Sequence, residues 1–327
     1  MKMKKKKKKK IEQTFLGLAV GDALGVPVEF TSRLTLQEFP VKTMRAFGSH
    51  HQPKGTWSDD SSLTFCLAES LCKGYDTKSI ATNFLRWYND SYWTAHGEVF
   101  DIGIATNTAI NSFAKGTPAT LSGGTDEFDN GNGSLMRISP LAFYVKDMSI
   151  EERFKKVKEV SSITHGHIRS VLSCFIYVEF MLVLLSGLEK FEAYEKMQQI
   201  VNNFLNENTI CSESEINKFH RILENPIGDY TIEPVYKLEE KQISGSGYVL
   251  NTLEASLWSF LTTDSYAEAV LKAVNLGEDT DTTACVTGAL AGLYYEEESI
   301  PKDWLHDLVK REEIIDLSHR FSKSLEK

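Results

Sequence analysis

Ser58-Asp59-Asp60 and Asp279-Thr280-Asp281-Thr282 are two runs of hard oxygen ligands, more than two hundred residues apart in a chain of 327. Each is followed directly by an apolar, helix-like stretch. Carboxylate and hydroxyl oxygens suit Mg²⁺ or Mn²⁺, and neither run holds the His or Cys that a softer metal would ask for. Helix capping explains part of the pattern. Ser58 and Asp279 sit where an N-cap would, and acids in a first helical turn complement the helix dipole. Capping does not explain the doubling. Asp59 beside Asp60, and Asp279 two before Asp281, crowd like charges whose repulsion raises a carboxylate pKa unless a cation lies between them. Two such pairs in one chain favour a metal site built from both ends of the sequence.

Other motifs are less specific. Ser122-Gly123-Gly124 and Asn130-Gly131-Asn132-Gly133-Ser134-Leu135-Met136-Arg137 read as a glycine-rich loop running into a helix. Free N–H groups at such a helix start can hold an anion, with Arg137 one turn in, or the segment is an ordinary flexible loop. It matches neither the P-loop nor the dinucleotide fingerprint. Thr164-His165-Gly166-His167 lies between two helical segments; without a neighbouring carboxylate or Cys it reads as a loop or cap more than as a zinc site. No Gly-x-Ser-x-Gly elbow or recognisable Cys nucleophile occurs. Glu29, just past Pro27, carries no signal alone.

The elements that must position these residues are helical. Apolar residues recur with helical spacing in Ile11–Leu24, Ser61–Cys72, Ile80–Trp87, Ile104–Phe113, Ser134–Tyr144, Glu151–Ile163 and Ile168–Leu188. The pattern returns in Ala193–Leu205, Glu215–Leu223, Val249–Leu261, Tyr266–Val274, Thr282–Tyr294 and Trp304–Ser322. Only Thr231–Leu238 and the Val41–Phe47 region hint at extended chain. Gly17, Gly21 and Gly25, four residues apart, predict a helix that lets another approach closely. An all-α fold follows, with the functional loops at helix N-termini.

Hydrophobic content of 42% and charged content of 25% are those of a globular protein large enough for a substantial core. The apolar stretch Val171–Leu188 is broken by Ser173, Glu179 and Ser186, which suits a buried helix better than a membrane span. Five cysteines, an odd number without a CxxC pair, read as free thiols in the cytoplasm. The formal charge is −9, yet eight lysines fall in the first ten residues; without them 28 Lys+Arg face 45 Asp+Glu, a net −17. Nucleic-acid binding by the body is not expected on that balance. Residues 1–10 read as a disordered poly-lysine leader and 11–327 as one domain, with no membrane association and no heptad seam; a monomer is expected.

Taken together, these segments resemble the ADP-ribosylglycohydrolase family, in particular its bacterial dinitrogenase reductase-activating branch. The segments are GLAVGDALGVPVEF (17–30), GTWSDDSSLTFCLAESL (55–71), FDIG (100–103), GNGSLMRISPLA (131–142), THGHIRS (164–170), SGSGYVLNTLEASLW (244–258) and LGEDTDTTACVTGALAGLYY (276–295). The resemblance implies one compact multi-helix domain with a two-metal centre, Mg²⁺ or Mn²⁺, at the bottom of an ADP-ribose cleft. It implies Ser58, Asp59, Asp60, Asp279, Asp281 and Thr282 as metal ligands, with Glu29, Asp59, Asp60 and Asp101 in catalytic roles. Asn132, Gly133, Ser134, Met136, Arg137, His165, Gly247 and Tyr248 would line the substrate cleft, with Ser246 in the same loop. Asp101 matches an acid that faces the group bearing ADP-ribose, and a carboxylate can pair with a planar guanidinium; its alternative role is to cap a helix starting near Ile102. Three departures stand out. Ser58 replaces a threonine, Glu278 stands where several relatives have glycine, and Glu296-Glu297-Glu298 follow Tyr295 where a glycine is frequent.

The implied reaction is hydrolysis at C1″ of the distal ribose, releasing ADP-ribose from an arginine or other side chain through an oxocarbenium-like state. The substrate would be an ADP-ribosylated protein or a small ADP-ribosyl conjugate. Two other readings stay open: a non-catalytic ADP-ribose or ADP-ribosylated-protein binding module, and metal-dependent hydrolysis of a different ribosyl or phosphoester metabolite.

Overall fold

The computed structural model describes residues 2–224, 233–295 and 299–326, with the side chains of residues 2–7 outside the description. Sixteen α-helices are seen among the described residues. The first eight are α1 Lys2–Gly25, α2 Arg33–Glu38, α3 Asp59–Leu71, α4 Thr77–Asp90, α5 Ile104–Ala114, α6 Ser139–Val145, α7 Ile150–Ser161 and α8 Ile168–Leu185. The rest are α9 Lys190–Glu207, α10 Glu213–Ile216, α11 His220–Leu223, α12 Val249–Leu261, α13 Tyr266–Val274, α14 Thr280–Tyr294, α15 Lys302–Asp307 and α16 Arg311–Ser324. Among the described residues there is no sheet, only isolated bridges such as Gly131–Tyr248 and Gly124–His165.

The heart of the fold is the pairing of α1 with α14, flanked by α12, α13 and α16. Glycine makes it possible. A Cβ on Gly17 would meet the Gly288 carbonyl oxygen, one on Gly21 the carbonyl of Ala284, and one on Gly25 the backbone of Asp281. Backbones this close leave no room for side chains, so α1 is laid along α14 in one register. That register sets Asp22 beside the N-terminus of α14, where the second acidic run begins.

At the opposite end of the pair, Lys10 Nζ donates to the carbonyls of Leu293 (2.5 Å) and Tyr294 (3.1 Å), closing the C-terminus of α14. Helix α1 runs on through residue 10, so the boundary expected there is not a break in the backbone. Helix α8 is long and apolar enough to cross a membrane, but 83% of it is buried inside the fold. Its Glu179 pairs with Arg153 of α7 (2.6 Å), which accounts for a charge in so apolar a helix.

Several expected elements differ. The helix expected from Ser134 begins only at Ser139, because residues 134–137 form turns. The single helix expected over Trp304–Ser322 is two, parted by Leu308–Lys310, with Lys310 in a left-handed conformation (φ 56°). Glu215–Leu223 is broken into two short α-helices joined by a 3₁₀ turn. Val235–Lys237 is a 3₁₀ turn, not extended chain; residues 231–232 of that expectation lie outside the described residues, as do Glu296, Glu297 and Glu298. Val41–Phe47 is irregular and not a strand: it carries a bend, pairs only through the isolated Phe47–Gln52 bridge, and ends at Phe47 with φ 65°.

Candidate metal centre and cleft

The first acidic run is placed by α1. Asp22, fully buried, accepts from the Ser58 N–H (2.9 Å), the Ser61 N–H (3.0 Å) and the Ser61 hydroxyl (2.6 Å). These bonds satisfy donors that a helix start leaves open. Ser58 is the N-cap of α3: its Oγ accepts weakly from the Asp60 N–H (3.4 Å) and donates to Asp60 Oδ2 (3.0 Å). The second run meets the first through Thr282, whose Oγ1 donates to the same Asp60 oxygen (3.3 Å). Asp279 precedes α14 but caps nothing with its side chain. Asn132 Nδ2 donates to its Oδ2 instead (2.8 Å), and also to Thr252 Oγ1 (2.9 Å).

Three carboxylate oxygens in this knot, Asp60 Oδ1, Asp279 Oδ1 and Asp281 Oδ2, are buried without a hydrogen-bond partner. Buried polar atoms are nearly always paired, and an unpaired one signals an ion or water that belongs there. Asp22, Asp60 and Asp281 bring carboxylate oxygens within 4.8 Å of one another, and so do Glu29, Asp279 and Asp281. Burial, followed by mutual repulsion, pushes Asp59, Asp60 and Asp281 well above the usual carboxylate range. Burial raises Asp279 as well, and Asp22 rises to about 6. An all-oxygen set that is buried, crowded and partly unpaired fits hard divalent cations, with the positive ends of α3 and α14 adding to the same field.

Glu29 joins the cluster to the cleft. Its carboxyl lies between Asp279 and Asp281 on one side and His50 and Asp101 on the other. Burial, then repulsion from Asp101 and Asp279, lifts it to about 10. The loop carrying it is tied to the second acidic run: the Phe30 N–H donates to the Glu278 carbonyl (2.6 Å), and the Glu278 N–H to Thr31 O (2.9 Å). Glu278 has φ +65°, a conformation that glycine adopts at no steric cost. Asp101 is not a helix cap, since α5 begins at Ile104 with Gly103 as N-cap. Burial raises its carboxyl too, with His50 acting in the opposite sense.

The glycine-rich loop is fixed to the 244–248 loop: Asn132 N–H donates to Gly247 O (3.1 Å), and Val249 N–H to Asn130 O (3.0 Å). Gly247 lies so close to Asp279 that a Cβ there would sit 2.7 Å from its carboxylate. Asn132, Gly133 and Gly247 thus stand at the edge of the acidic cluster. Arg137 lies beneath the loop, near enough to feel the charge of Asp59. Its fully buried guanidinium lies over Phe84 and donates to the carbonyls of Gly133 and Val160, holding the loop from beneath. Burial lowers it to about 10. Ser134 is likewise buried, bonded by Ser161 (3.0 Å) and against Cys174. Met136 is buried in the hydrophobic core. His165 packs under Gly131 and Gly133, shares a hydrogen bond with Thr164 (2.8 Å), and is kept neutral by burial, with a pKa near about 3. Tyr248 carries its hydroxyl outward to Arg169 (3.3 Å), which also pairs with Glu127 and Glu215.

Asp22, His50 and Thr252 are site residues that the motifs did not single out. Asp22 lies within a glycine-spaced helix that reads as packing, and His50 and Thr252 have no spacing signal at all.

A sequence model of the ADP-ribosylglycohydrolase family matches residues 3–327. The chain is 31% identical to the ADP-ribosylarginine hydrolase Tri1 of Serratia proteamaculans, over 95% of this chain and 78% of that one. It is 28% identical to the ADP-ribosyl-[dinitrogen reductase] glycohydrolase of Rhodospirillum rubrum, over 90% and 88% respectively. A solved structure titled ADP-ribosylglycohydrolase-related protein complex superposes with a TM-score of 0.79 at 32% identity, covering 98% of this chain and 99% of that one. The protein belongs to the ADP-ribosylglycohydrolase family and is an enzyme of that kind.

Proposed function

We propose that the protein releases ADP-ribose from a modified protein side chain, with arginine as the linkage, by cleaving the glycosidic bond at C1″ of the distal ribose. The observation that carries this reading is the trio of unpaired buried oxygens on Asp60, Asp279 and Asp281, gathered from both ends of the chain. Ser58, Asp59, Asp60, Asp279, Asp281 and Thr282 would hold two divalent cations, Mg²⁺ or Mn²⁺. Bound there, the cations would orient ribose hydroxyls, acidify the attacking water and let the crowded carboxylates ionise together.

The chain's own groups do the rest. Asn132 fixes the Asp279 carboxylate, and Thr282 with Ser58 fixes that of Asp60, so the acids keep one geometry. The loops that carry Asn132, Gly133 and Gly247 would face the distal ribose and diphosphate, with Gly247 packed against the Asp279 carboxylate. In the reaction the C1″–N bond breaks, water oxygen bonds to C1″, and one water proton passes by way of a cleft carboxylate to the departing guanidine. Glu29 and Asp101, close together at the cleft edge, would handle that proton and pair with a guanidinium. The Tri1 relatives named as ADP-ribosylarginine hydrolases support arginine over other linkages. Five free cysteines fit a reducing cytoplasm.

The test is release of ADP-ribose from arginine-linked and serine-linked peptides with Mg²⁺, Mn²⁺ or EDTA. Metal-dependent release from arginine alone is expected. Release from serine would keep the hydrolase and overturn the linkage; tight binding of ADP-ribose with no release from either would favour a binding module.

A further inference from the structure

Residues 47–52 form a tight turn whose backbone is costly to make. Phe47, Gly48 and His51 all have positive φ, at 65°, 61° and 53°. For Phe and His this region is disfavoured and persists only where the surroundings impose it. The turn is pinned by the Phe47 N–H donating to Gln52 O (2.6 Å) and by Gln52 Nε2 donating to Glu98 (2.9 Å). Gly48 packs so tightly on Pro27 that a Cβ would collide with the Pro27 carbonyl. Ser49 Oγ donates to the main-chain carbonyl of Glu29 (2.5 Å). All of these restraints aim one side chain. His50 Nε2 pairs with Glu29 Oε2, while the imidazole ring lies between Phe30 (centroids 5.8 Å apart) and Phe100 (5.3 Å).

We propose that His50 is a positioning residue: through its Nε2 bond it holds the Glu29 carboxyl between Asp279 and Asp281 on one side and Asp101 on the other. A glutamate side chain has three rotatable bonds and stands on a loop just past the 3₁₀ turn Val26–Val28. Without a lateral partner the carboxyl would swing away from the crowded acids that repel it. The aromatic clamp fixes the imidazole, and the imidazole fixes one Glu29 oxygen. The role rests on the reading of Glu29 as a working residue of the hydrolase. It differs from a packing role, because a packing residue needs only the ring and a positioning residue needs the nitrogen.

Three variants separate the two. His50→Phe keeps a ring between Phe30 and Phe100 but has no Nε2; His50→Gln loses the ring but keeps an N–H within reach of Glu29; His50→Ala loses both. With arginine-linked ADP-ribose as substrate, His50→Ala and His50→Phe are expected to lower kcat by about ten- to a hundredfold, the scale of a misplaced acid–base group, with KM within about threefold. His50→Gln is expected to recover most of that loss. On a Glu29→Gln background, His50→Ala is expected to add less than about a twofold loss, since the two residues would act as one unit. Activity near wild type in His50→Phe, or a His50→Ala loss that multiplies with that of Glu29→Gln, overturns the proposal. If the unaltered protein turns over no arginine conjugate, the linkage reading fails, and a crystal structure of His50→Ala decides the positioning alone. A Glu29 carboxyl turned away from Asp279 and Asp281 upholds it, and an unmoved carboxyl overturns it.

Discussion

Asp22 and Ser61 stand thirty-nine positions apart, yet Asp22 Oδ2 accepts both the backbone N–H and the hydroxyl of Ser61. One buried carboxylate on α1 therefore fixes the first turn of α3, and with it the direction in which Asp59 and Asp60 point. Asp22→Ala should leave three buried donors open, at Ser58 and Ser61, each costing about 1–3 kcal/mol. A large drop in the urea midpoint is expected, with activity lost in whatever remains folded. Asp22→Asn keeps one acceptor oxygen and should fall between wild type and alanine. If Asp22→Ala unfolds at the wild-type urea concentration, the anchoring role is wrong.

Stability should fall with rising pH in the absence of divalent cations, and the cations should oppose that fall. Folding raises Asp22 from 3.8 to about 6 and Glu29 from 4.5 to about 10. Between each unfolded and folded value the native state holds protons that the unfolded chain has already lost. Stability from these groups is thus fully present below the unfolded values and is lost as pH rises through the folded ones. In EDTA, Tm should fall steadily from about pH 5 to about pH 8. Millimolar Mn²⁺ or Mg²⁺ binds the ionised acids and should raise Tm most at the alkaline end. A flat Tm profile in EDTA, or no response to either cation, counts against the metal centre.

Asp281→Asn exchanges function for stability. Asp281 is fully buried, has an unpaired Oδ2, and is crowded by Glu29, Asp60 and Asp101. Removing its charge should leave the cation-free protein at least as stable as wild type near neutral pH, because a repelling group is gone. The same change should shrink the Tm gain from Mn²⁺ and cut kcat at least about a hundredfold, the scale of losing one electrostatic group in a site. Thermal scans with and without cation, alongside an activity assay, read all three effects. An Asp281→Asn protein that still gains the full Mn²⁺ stabilisation would remove Asp281 from the ligand set.

What local sequence could tell about this site follows from what local sequence encodes. The acids after Trp57 and after Glu278 were legible because their spacing is chemical: paired carboxylates at helix starts have few uses. Helix positions followed from periodicity, and Gly17, Gly21 and Gly25 announced a close helix partner without naming it. The cleft role of Ser134 comes from the family resemblance alone, and the anion-site reading of Arg137 needs a helix that begins at Ser134. The turns that precede Ser139 carry both side chains beneath the loop instead, and burial of that sort depends on α7 and α8, which no local pattern reports. Asp22 and His50 were hidden for a related reason. Each acts on a residue far along the chain, Asp22 on Ser61 and His50 on Glu29, so neither meaning exists until the chain is folded.

Gly21→Ala tests the helix pair on which the whole arrangement rests. A Cβ at Gly21 would strike the Ala284 carbonyl of α14, a backbone group that cannot rotate aside. Overpacking of this kind costs about 1–3 kcal/mol, and here it also bears on Asp22, the next residue. Helix propensity alone predicts the reverse, since alanine is favoured over glycine in a helix interior by about 1 kcal/mol. The two effects have opposite signs, so the measured change identifies the winner. Gly103→Ala is the steric control: its φ is −63° and the nearest atom to an added Cβ is 4.0 Å away, so its only cost is that of alanine at the N-cap of α5, below about 1 kcal/mol. Chemical denaturation should show Gly21→Ala destabilised and Gly103→Ala close to wild type. A Gly21→Ala protein as stable as wild type would mean that α1 and α14 have room to part. The register that brings Asp22 to the start of α14 would then need another cause.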